Sequence, residues 1–171
     1  MTPRLQLDAF LRRFAPEIVR TARAALARVR SLTPGATELV YDNYRGLVVG
    51  FGPTERPSEA VLSIAIYAGK VVLCFIQNGP RIPDPKKLLR GSGNVARNVP
   101  LESAKPLDHP AVLRLIAAAK SLARVPFDPS KPRQLIIRSV SAAQLPRRPA
   151  AARSKGPTSA PRSRARKRRP S

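Results

Sequence analysis

The chain has 171 residues, of which 32 are Lys or Arg and 10 are Asp or Glu, and its formal net charge is +22. This length suits one domain with a tail and is sufficient to bury a hydrophobic core. A single Cys excludes an internal disulfide, and with one His there are too few ligands for a Cys/His zinc site. No apolar run approaches the roughly 20 residues that span a bilayer, and the N-terminus lacks a signal-peptide pattern. We therefore expect a soluble, cytoplasmic protein with no membrane partner.

Apolar residues at steps of three and four predict two helices in the first part of the chain, over about 4–14 and 16–32. The helices are separate because Pro16 fits the first turn of a helix and not its interior. Thr33-Pro34-Gly35 ends the second helix. The arginines between the apolar positions are expected to form a solvated face.

The pattern then changes to that of strands. Neighbouring strands are expected to pair antiparallel, because the connections at Asp42-Asn43 and Ala68-Gly69 are short. Cys74 lies among apolar strand residues and is interpreted as a small core residue. The runs rich in β-branched and aromatic residues that predict these strands lie at 38–41, 46–51, 60–67 and 70–76.

Further elements follow in the second half of the chain. Asp84 as a cap, Pro85 in the first turn and Gly91 as a stop predict a short helix. Beyond it, the pattern predicts a strand at 97–101, a helix from Asp108-His109-Pro110 to about 123, and a strand at 134–140. Helices, then hairpins, then more helix predict an α+β domain over residues 1–143. Its antiparallel sheet of about four to six strands would pack against the N-terminal and C-terminal helices.

Residues 144–171 carry ten basic side chains and no acidic one. A stretch of Arg, Pro, Ala and Ser buries too little apolar surface to offset its ordering entropy, so we predict a disordered tail. A flexible polycation binds DNA, RNA or other polyanions without sequence preference by releasing their counterions. The alternative is compositional drift, since Arg outnumbers Lys 24 to 8 as in a GC-rich coding sequence. The predicted nucleic-acid-binding residues are Arg162, Arg164, Arg166, Lys167, Arg168 and Arg169.

Gly91, Gly93 and Arg97 form the first candidate ligand site. Two glycines let backbone N–H groups approach an oxyanion, and Arg97 would neutralise it together with Lys86, Lys87 and Arg90 just upstream. The glycines follow a predicted helix instead of leading from a strand into one, which excludes a Walker A or dinucleotide motif. A helix stop followed by a turn explains the same two glycines.

Tyr41, Asp42 and Tyr67, in or beside strands, are the other candidates, and they could line a pocket with Arg97. Strand tyrosines are also commonly half-buried packing residues. No two acidic residues are adjacent in the sequence. No Ser, Thr or Cys has a sequence spacing from Asp108 and His109 that is typical of a catalytic nucleophile. We expect no catalytic site, no cofactor and no metal.

Several segments of the chain resemble one known family. They are Pro34–Tyr44 (PGATELVYDNY), Val49–Arg56 (VGFGPTER), Leu88–Arg97 (LLRGSGNVAR), Asp108–Val112 (DHPAV), Leu135–Ser141 (LIIRSVS) and Pro146–Pro149 (PRRP). Over about residues 8–149 the chain is similar to a subgroup of the YdhG-like family, a domain of unknown function numbered 1801. The resemblance implies a small α+β fold with an antiparallel sheet covered by helices, and it implies no settled activity.

Some members of that family are described as frataxin-like iron chaperones. Such a role needs clustered carboxylates, whereas Asp8 and Glu17 stand alone on the N-terminal helices and the basic chain repels cations. The function expected is a non-enzymatic binding module for an anionic ligand or a protein partner, with a tail that associates non-specifically with nucleic acid. An iron chaperone and an unrecognised enzyme are the alternatives.

Overall fold

The computed structural model describes residues 1–150, and residues 151–171 of the predicted tail lie outside it. Helices and strands near the predicted positions are confirmed, with the exceptions given below. The helices are α1 (Pro3–Leu11), α2 (Pro16–Leu32) and α3 (Pro110–Leu122). The strands are β1 (Thr37–Asp42), β2 (Leu47–Gly52), β3 (Leu62–Tyr67), β4 (Lys70–Phe75), β5 (Arg97–Leu101) and β6 (Gln134–Val140).

Six strands form one mixed sheet in the order β5-β4-β3-β2-β1-β6. Four of the five neighbouring pairs are antiparallel, whereas β6 lies parallel to β1. The α+β class and the strand number are therefore confirmed, and the expectation of a wholly antiparallel sheet is wrong for β6. The difference arises because the chain leaves the β5 edge and returns to the opposite edge through α3, the kind of helical crossover that delivers a parallel strand.

One row of side chains crosses the sheet and forms the centre of the core. Val40, Val49, Ile64, Leu73 and Val99 are register partners on five successive strands, and each is buried. Because alternate residues of a strand share a face, the residues of this row and those two positions away on the same strands face the helices. Helices α2 and α3 complete the same cluster with Ala22, Ala25, Leu26, Val29, Val112, Leu115, Ile116 and Ala119.

Helix α1 ends at Leu11, earlier than predicted, and a turn follows it. The N–H of Arg13 donates to the carbonyl of Phe10, and the N–H of Phe14 to that of Leu11. The chain leaves the helix here because Ala15 precedes Pro16, and the residue before a proline disfavours the helical conformation. The turn brings Arg13 and the fully buried Phe14 to the end of β1.

The short helix predicted over Asp84–Gly91 is wrong. The carboxylate of Asp84 does accept two backbone N–H groups, from Leu88 at 3.0 Å and from Leu89 at 2.8 Å, but only a turn forms. Lys87 has a φ of 52°, which stops a helix, and Arg90 pairs with Asn98 as an isolated bridge on the outer side of β5. The segment forms no helix because Arg90 pairs with the edge strand β5 and because Leu88 and Leu89 pack, half-buried, against the core. These tertiary contacts outweigh the local capping pattern.

Residues 141–148, here called the strap, are bound to the folded body. The N–H of Ser141 donates to the carbonyl of Asp42 at 2.9 Å, and the N–H of Leu145 to that of Tyr44 at 2.8 Å. The guanidinium of Arg148 donates to the carbonyl of Phe14 at 3.2 Å. The structure therefore differs from the predicted boundary at residue 143, since the first residues assigned to the tail belong to the body.

The strap is anchored by a buried ion pair at the end of β1. The Asp42 side chain is 0 % exposed, and its Oδ1 accepts from Nη2 of Arg147 at 2.7 Å while its Oδ2 accepts from Nη2 of Arg13. The Arg147 side chain is 4 % exposed, and its guanidinium lies 5.5 Å from the centroid of the Phe14 ring. One buried negative charge thus connects α1, β1 and the strap.

We predict that Arg147→Ala lowers the free energy of unfolding by about 3 kcal/mol, because it leaves a buried carboxylate with one cation fewer. Arg148→Ala, in the same segment but at an exposed site, should cost about 1 kcal/mol or less. Urea unfolding followed by circular dichroism measures both. Equal losses for the two variants would contradict the role given to the ion pair.

Candidate functional site

The structure does not bring the predicted strand residues into one pocket. Tyr41 and Asp42 are consecutive on β1 and therefore point to opposite faces of the sheet, with Asp42 buried in its ion pairs. Tyr67 is the last residue of β3, and its ring lies 5.4 Å from the ammonium of Lys70. Arg97 begins β5, at the opposite edge of the sheet from β1 and β6.

The loop of Gly91, Gly93 and Arg97 forms a closed turn. Nη1 of Arg97 donates to the carbonyl of Ala96 at 2.8 Å and also to the carbonyl of Gly93. The carbonyl of Val95 accepts from the N–H of Gly79 at 2.7 Å. The loop thus gathers carbonyl oxygens around its own guanidinium, whereas an anion site needs convergent N–H groups. This geometry favours the turn interpretation of the two glycines.

Replacing the two glycines by alanine should give different results. Gly91 has a φ of 110°, which strains any L side chain, so Gly91→Ala should destabilise the fold by roughly 1 kcal/mol or more. Gly93→Ala should be nearly neutral, because a Cβ there would meet open space. Thermal unfolding of the two variants tests this pair, and an equal shift in Tm would contradict it.

A groove of about 660 Å³ lies between β5, the segment 84–90 and the start of α3. Its floor is apolar, and two of its floor residues, Val99 and Val112, are 7 % and 3 % exposed. Leu88 and Pro106 complete the floor as half-buried side chains. The volume falls within the range of small-molecule sites, which is roughly 300–1,000 Å³. We call this feature the basic groove, and its exposed basic lining residues are Lys87, Arg90, Lys105 and His109.

The cations of the basic groove are not neutralised by the residues around them. Within residues 1–150, no carboxylate lies within 4.0 Å of the charged groups of Lys87, Arg90 or Lys105. The groove has one acidic lining residue, Glu102. Asp84, at the start of the neighbouring segment, uses its two oxygens on backbone N–H groups. The groove therefore carries an excess of positive charge over an apolar floor.

The positions of the basic groups follow from the local fold. The backbone of Arg90 is held by two hydrogen bonds to Asn98, at 2.8 and 2.9 Å. His109 is the N-cap of α3, where its Nδ1 accepts from the N–H of Ala111 at 3.1 Å. Accepting at Nδ1 places the proton of the neutral ring on Nε2, which leaves a donor for a ligand.

A second cavity of about 330 Å³ lies beside the basic groove, against a different part of α3. Its lining includes Pro83, Pro85 and Leu115, the cations Lys86 and Arg114, and Asp84. Residues of the segment 84–90 line both cavities. The basic residues before the glycine loop thus lie at cavities that α3 helps to form, and not at the loop itself.

Sequence reasoning placed Lys86, Lys87 and Arg90 near a ligand but missed Lys105 and His109. The density of cations before Gly91 was the signal for the first three. The other two belong to a short 3₁₀ turn and a helix cap that approach the groove only through tertiary packing. The local sequence around a basic residue just before a helix does not show whether its side chain lines a site or only faces solvent.

Within residues 1–150, no His, Cys, Asp and Glu side chains form a group of three or more that could hold a metal ion. In the same part of the chain, no helix is long and apolar enough to cross a membrane. Burial raises the pKa of the Cys74 thiol, and a hydrogen bond with Ser63 opposes part of that shift. A raised pKa leaves less thiolate at neutral pH, so Cys74 is a poor nucleophile.

The Cys74 thiol should react slowly with iodoacetamide in the folded chain. Because burial raises its pKa, the reaction rate should rise at higher pH in the folded chain than in the urea-unfolded chain. Alkylation followed by mass spectrometry measures both rate profiles between about pH 7 and 10. This pH range brackets the ordinary pKa of a thiol. Coincident profiles would contradict the burial of this thiol.

A scan against protein-family models finds no match, and searches of curated proteins and of solved structures find none either. The resemblance to the YdhG-like family therefore stays a prediction from the motifs of the sequence.

Proposed function

We propose that this protein is a non-enzymatic binding module that holds an anionic ligand in the basic groove and associates with nucleic acid through its basic tail. The observation that supports the first part is the uncompensated charge of Lys87, Arg90 and Lys105 above an apolar floor. Concave sites that bind small molecules commonly combine an apolar lining with a few convergent polar groups. The groove has this composition, and the predicted glycine loop does not.

The charge of the whole body supports an anionic partner. Residues 1–150 contain 24 basic and 10 acidic side chains. Seven of the basic residues lie within 4.0 Å of a carboxylate in this part of the chain. The remaining cations produce a positive potential that attracts anions at long range and repels Fe²⁺. Asp8, one of the two helix acids considered for iron, pairs with Arg23 at 3.1 Å.

Binding of pyrophosphate to the full chain tests the groove. The triple variant Lys87→Ala, Arg90→Ala, Lys105→Ala should bind it at least about tenfold more weakly, since charge-assisted hydrogen bonds are each worth about 1.5–3 kcal/mol. A matched triple variant, Arg4→Ala, Arg20→Ala, Arg45→Ala, removes the same charge from exposed residues outside the groove. Its affinity should stay within about threefold of the wild type, because exposed charges act weakly at a distance.

Isothermal titration calorimetry at about 0.1 M ionic strength, where the Debye length is about 10 Å, measures both triple variants. Equal weakening by the two would show that total charge, and not the basic groove, governs anion binding. Circular dichroism of each variant confirms that the fold is retained, and the exposure of all six side chains makes retention the expected result.

Duplex DNA binding across a salt series tests the tail. Residues 151–171 carry eight basic side chains and no acidic one. If about half of them neutralise phosphates, the full chain should show a slope of log K against log salt steeper by roughly 3–4 than a chain ending at residue 150. This truncation keeps Arg147 and the strap, so the body is left intact. Equal slopes for the two chains would show that the tail does not contribute to DNA binding.

A further inference from the structure

We propose that the ligand of the basic groove is an amphipathic anion, with an aliphatic body and one acidic head group. This inference rests on the proposed function and adds the chemical class of the ligand. The head would lie among Lys87, Arg90, Lys105 and Nε2 of His109, and the body would cover the floor formed by Leu88, Val99, Pro106 and Val112.

The arrangement of polar and apolar groups in the groove supports this class. A site for inorganic phosphate surrounds its anion with hydrogen-bond donors, often backbone N–H groups at a loop or helix end. In the basic groove the backbone of Arg90 is already committed to Asn98, and the N–H of Ala111 to His109. The charged side chains belong to exposed residues, which we call the rim, and the less exposed lining residues are Leu88, Val99, Pro106 and Val112, with Ser103 as the one neutral polar residue among them.

An aliphatic body fits this floor better than a nucleobase. Bases are commonly held by stacking on Phe, Tyr, Trp or Arg planes. The lining residues include no Phe, Tyr or Trp, and the planar side chains present, Arg90 and His109, belong to exposed residues, whereas the hydrocarbon side chains of the floor are Leu, Val and Pro. Branched aliphatic side chains cover a chain of methylene groups well and offer no flat π surface. The groove thus favours contact with an alkyl or acyl chain.

Glu102, the one carboxylate among the lining residues, offsets part of the charge of Lys87, Arg90 and Lys105. The groove keeps a net positive charge that attracts a monoanionic and a dianionic head group. A carboxylate and a monoalkyl phosphate share the chemistry of a single acidic head, and both satisfy the cations of the rim. Comparison of the two series at equal chain length distinguishes the sources.

Displacement of the fluorescent probe 8-anilinonaphthalene-1-sulfonate from the full chain tests this inference. The competitors are butyrate, hexanoate and octanoate, then butyl, hexyl and octyl phosphate, with octanol as the uncharged control and pyrophosphate as the anion without a chain. Each added methylene should tighten binding about two- to fourfold, since full burial of one methylene is worth about 0.8 kcal/mol. Octanol should displace the probe far less than octanoate at the same concentration.

Two variants assign the effect to the groove. Lys105→Ala should lower the affinity for octanoate about fivefold or more, because it removes one charged contact. The increase of affinity with chain length should remain. Leu88→Ser should reduce the dependence on chain length and leave the affinity for pyrophosphate within about twofold, because it changes the floor and not the rim. Leu88 is half-buried, and thermal unfolding checks that its variant folds.

The outcomes separate this inference from the proposed function. Affinity that rises with chain length and depends on Lys105 supports the inference. Binding of pyrophosphate that depends on Lys87, Arg90 and Lys105, without any effect of chain length, overturns the amphipathic ligand and keeps the anion site. Failure of pyrophosphate and of every alkyl anion to bind overturns both.

Discussion

The ion pairs of the buried Asp42 carboxylate join the turn after α1 and the strap to the end of β1. Moving such a charge out of water costs several kcal/mol, and the cost is offset only where cations and hydrogen bonds surround it. Here Arg13 approaches from the turn after α1 and Arg147 from the strap, so these two segments meet at the end of β1. Phe14 packs beneath the Arg147 guanidinium and excludes water from the pair.

A second buried acid on β1 repeats the arrangement two positions before Val40, the β1 member of the core row. Glu38 is 1 % exposed, and its carboxylate accepts two hydrogen bonds from Arg30 of α2, at 2.8 and 2.7 Å. Glu38, Val40 and Asp42 share one face of the strand because side chains alternate. The core face of β1 thus has one apolar residue between two ion pairs, which attach α2 and the strap at either end of the strand.

The anchor of the tail and the basic groove lie at different places on the sheet. Asp42 is on β1, whereas the groove borders β5, four strands away and about 19 Å at the usual strand spacing. The strap, after which the predicted tail begins, and the basic groove are therefore separate in structure. Truncation after residue 150 removes the predicted tail, and substitution of Lys87, Arg90 and Lys105 changes the groove.

Much of the fold could be predicted because hydrophobic periodicity reports which face of an element is buried. The strands at 97–101 and 134–140 and the helix beginning near Pro110 follow from that signal. Features set by distant partners could not be predicted from local pattern. Asp42 and Arg147 are 105 positions apart in sequence, so nothing around Arg147 distinguishes it from the other arginines of the tail. The parallel pairing of β6 likewise depends on the path of the chain across the sheet.

The candidate site shows the same division between local and distant information. Gly91 is predicted to stop a helix; it has the positive φ typical of such a stop, 110°, but no helix directly precedes it. The helix expected before it fails because Arg90 pairs with Asn98 of β5, a contact between segments that no capping rule includes. That pairing also positions Arg90 in the basic groove. The sequence pattern predicts that Lys87 and Arg90 serve the glycine loop, whereas in the structure they line the groove.

The most direct test of the account is an NMR titration of the full, ¹⁵N-labelled chain with pyrophosphate. We predict that, among the amides of residues 1–150, the largest and saturable shift changes lie at 87–90, 99–105 and 109–112, the segments that contain the lining residues of the basic groove. Small shift changes of similar size on α1, α2 and the β1–β2 turn, without a maximum at the groove, would show that the body attracts anions by its total charge and has no anion site.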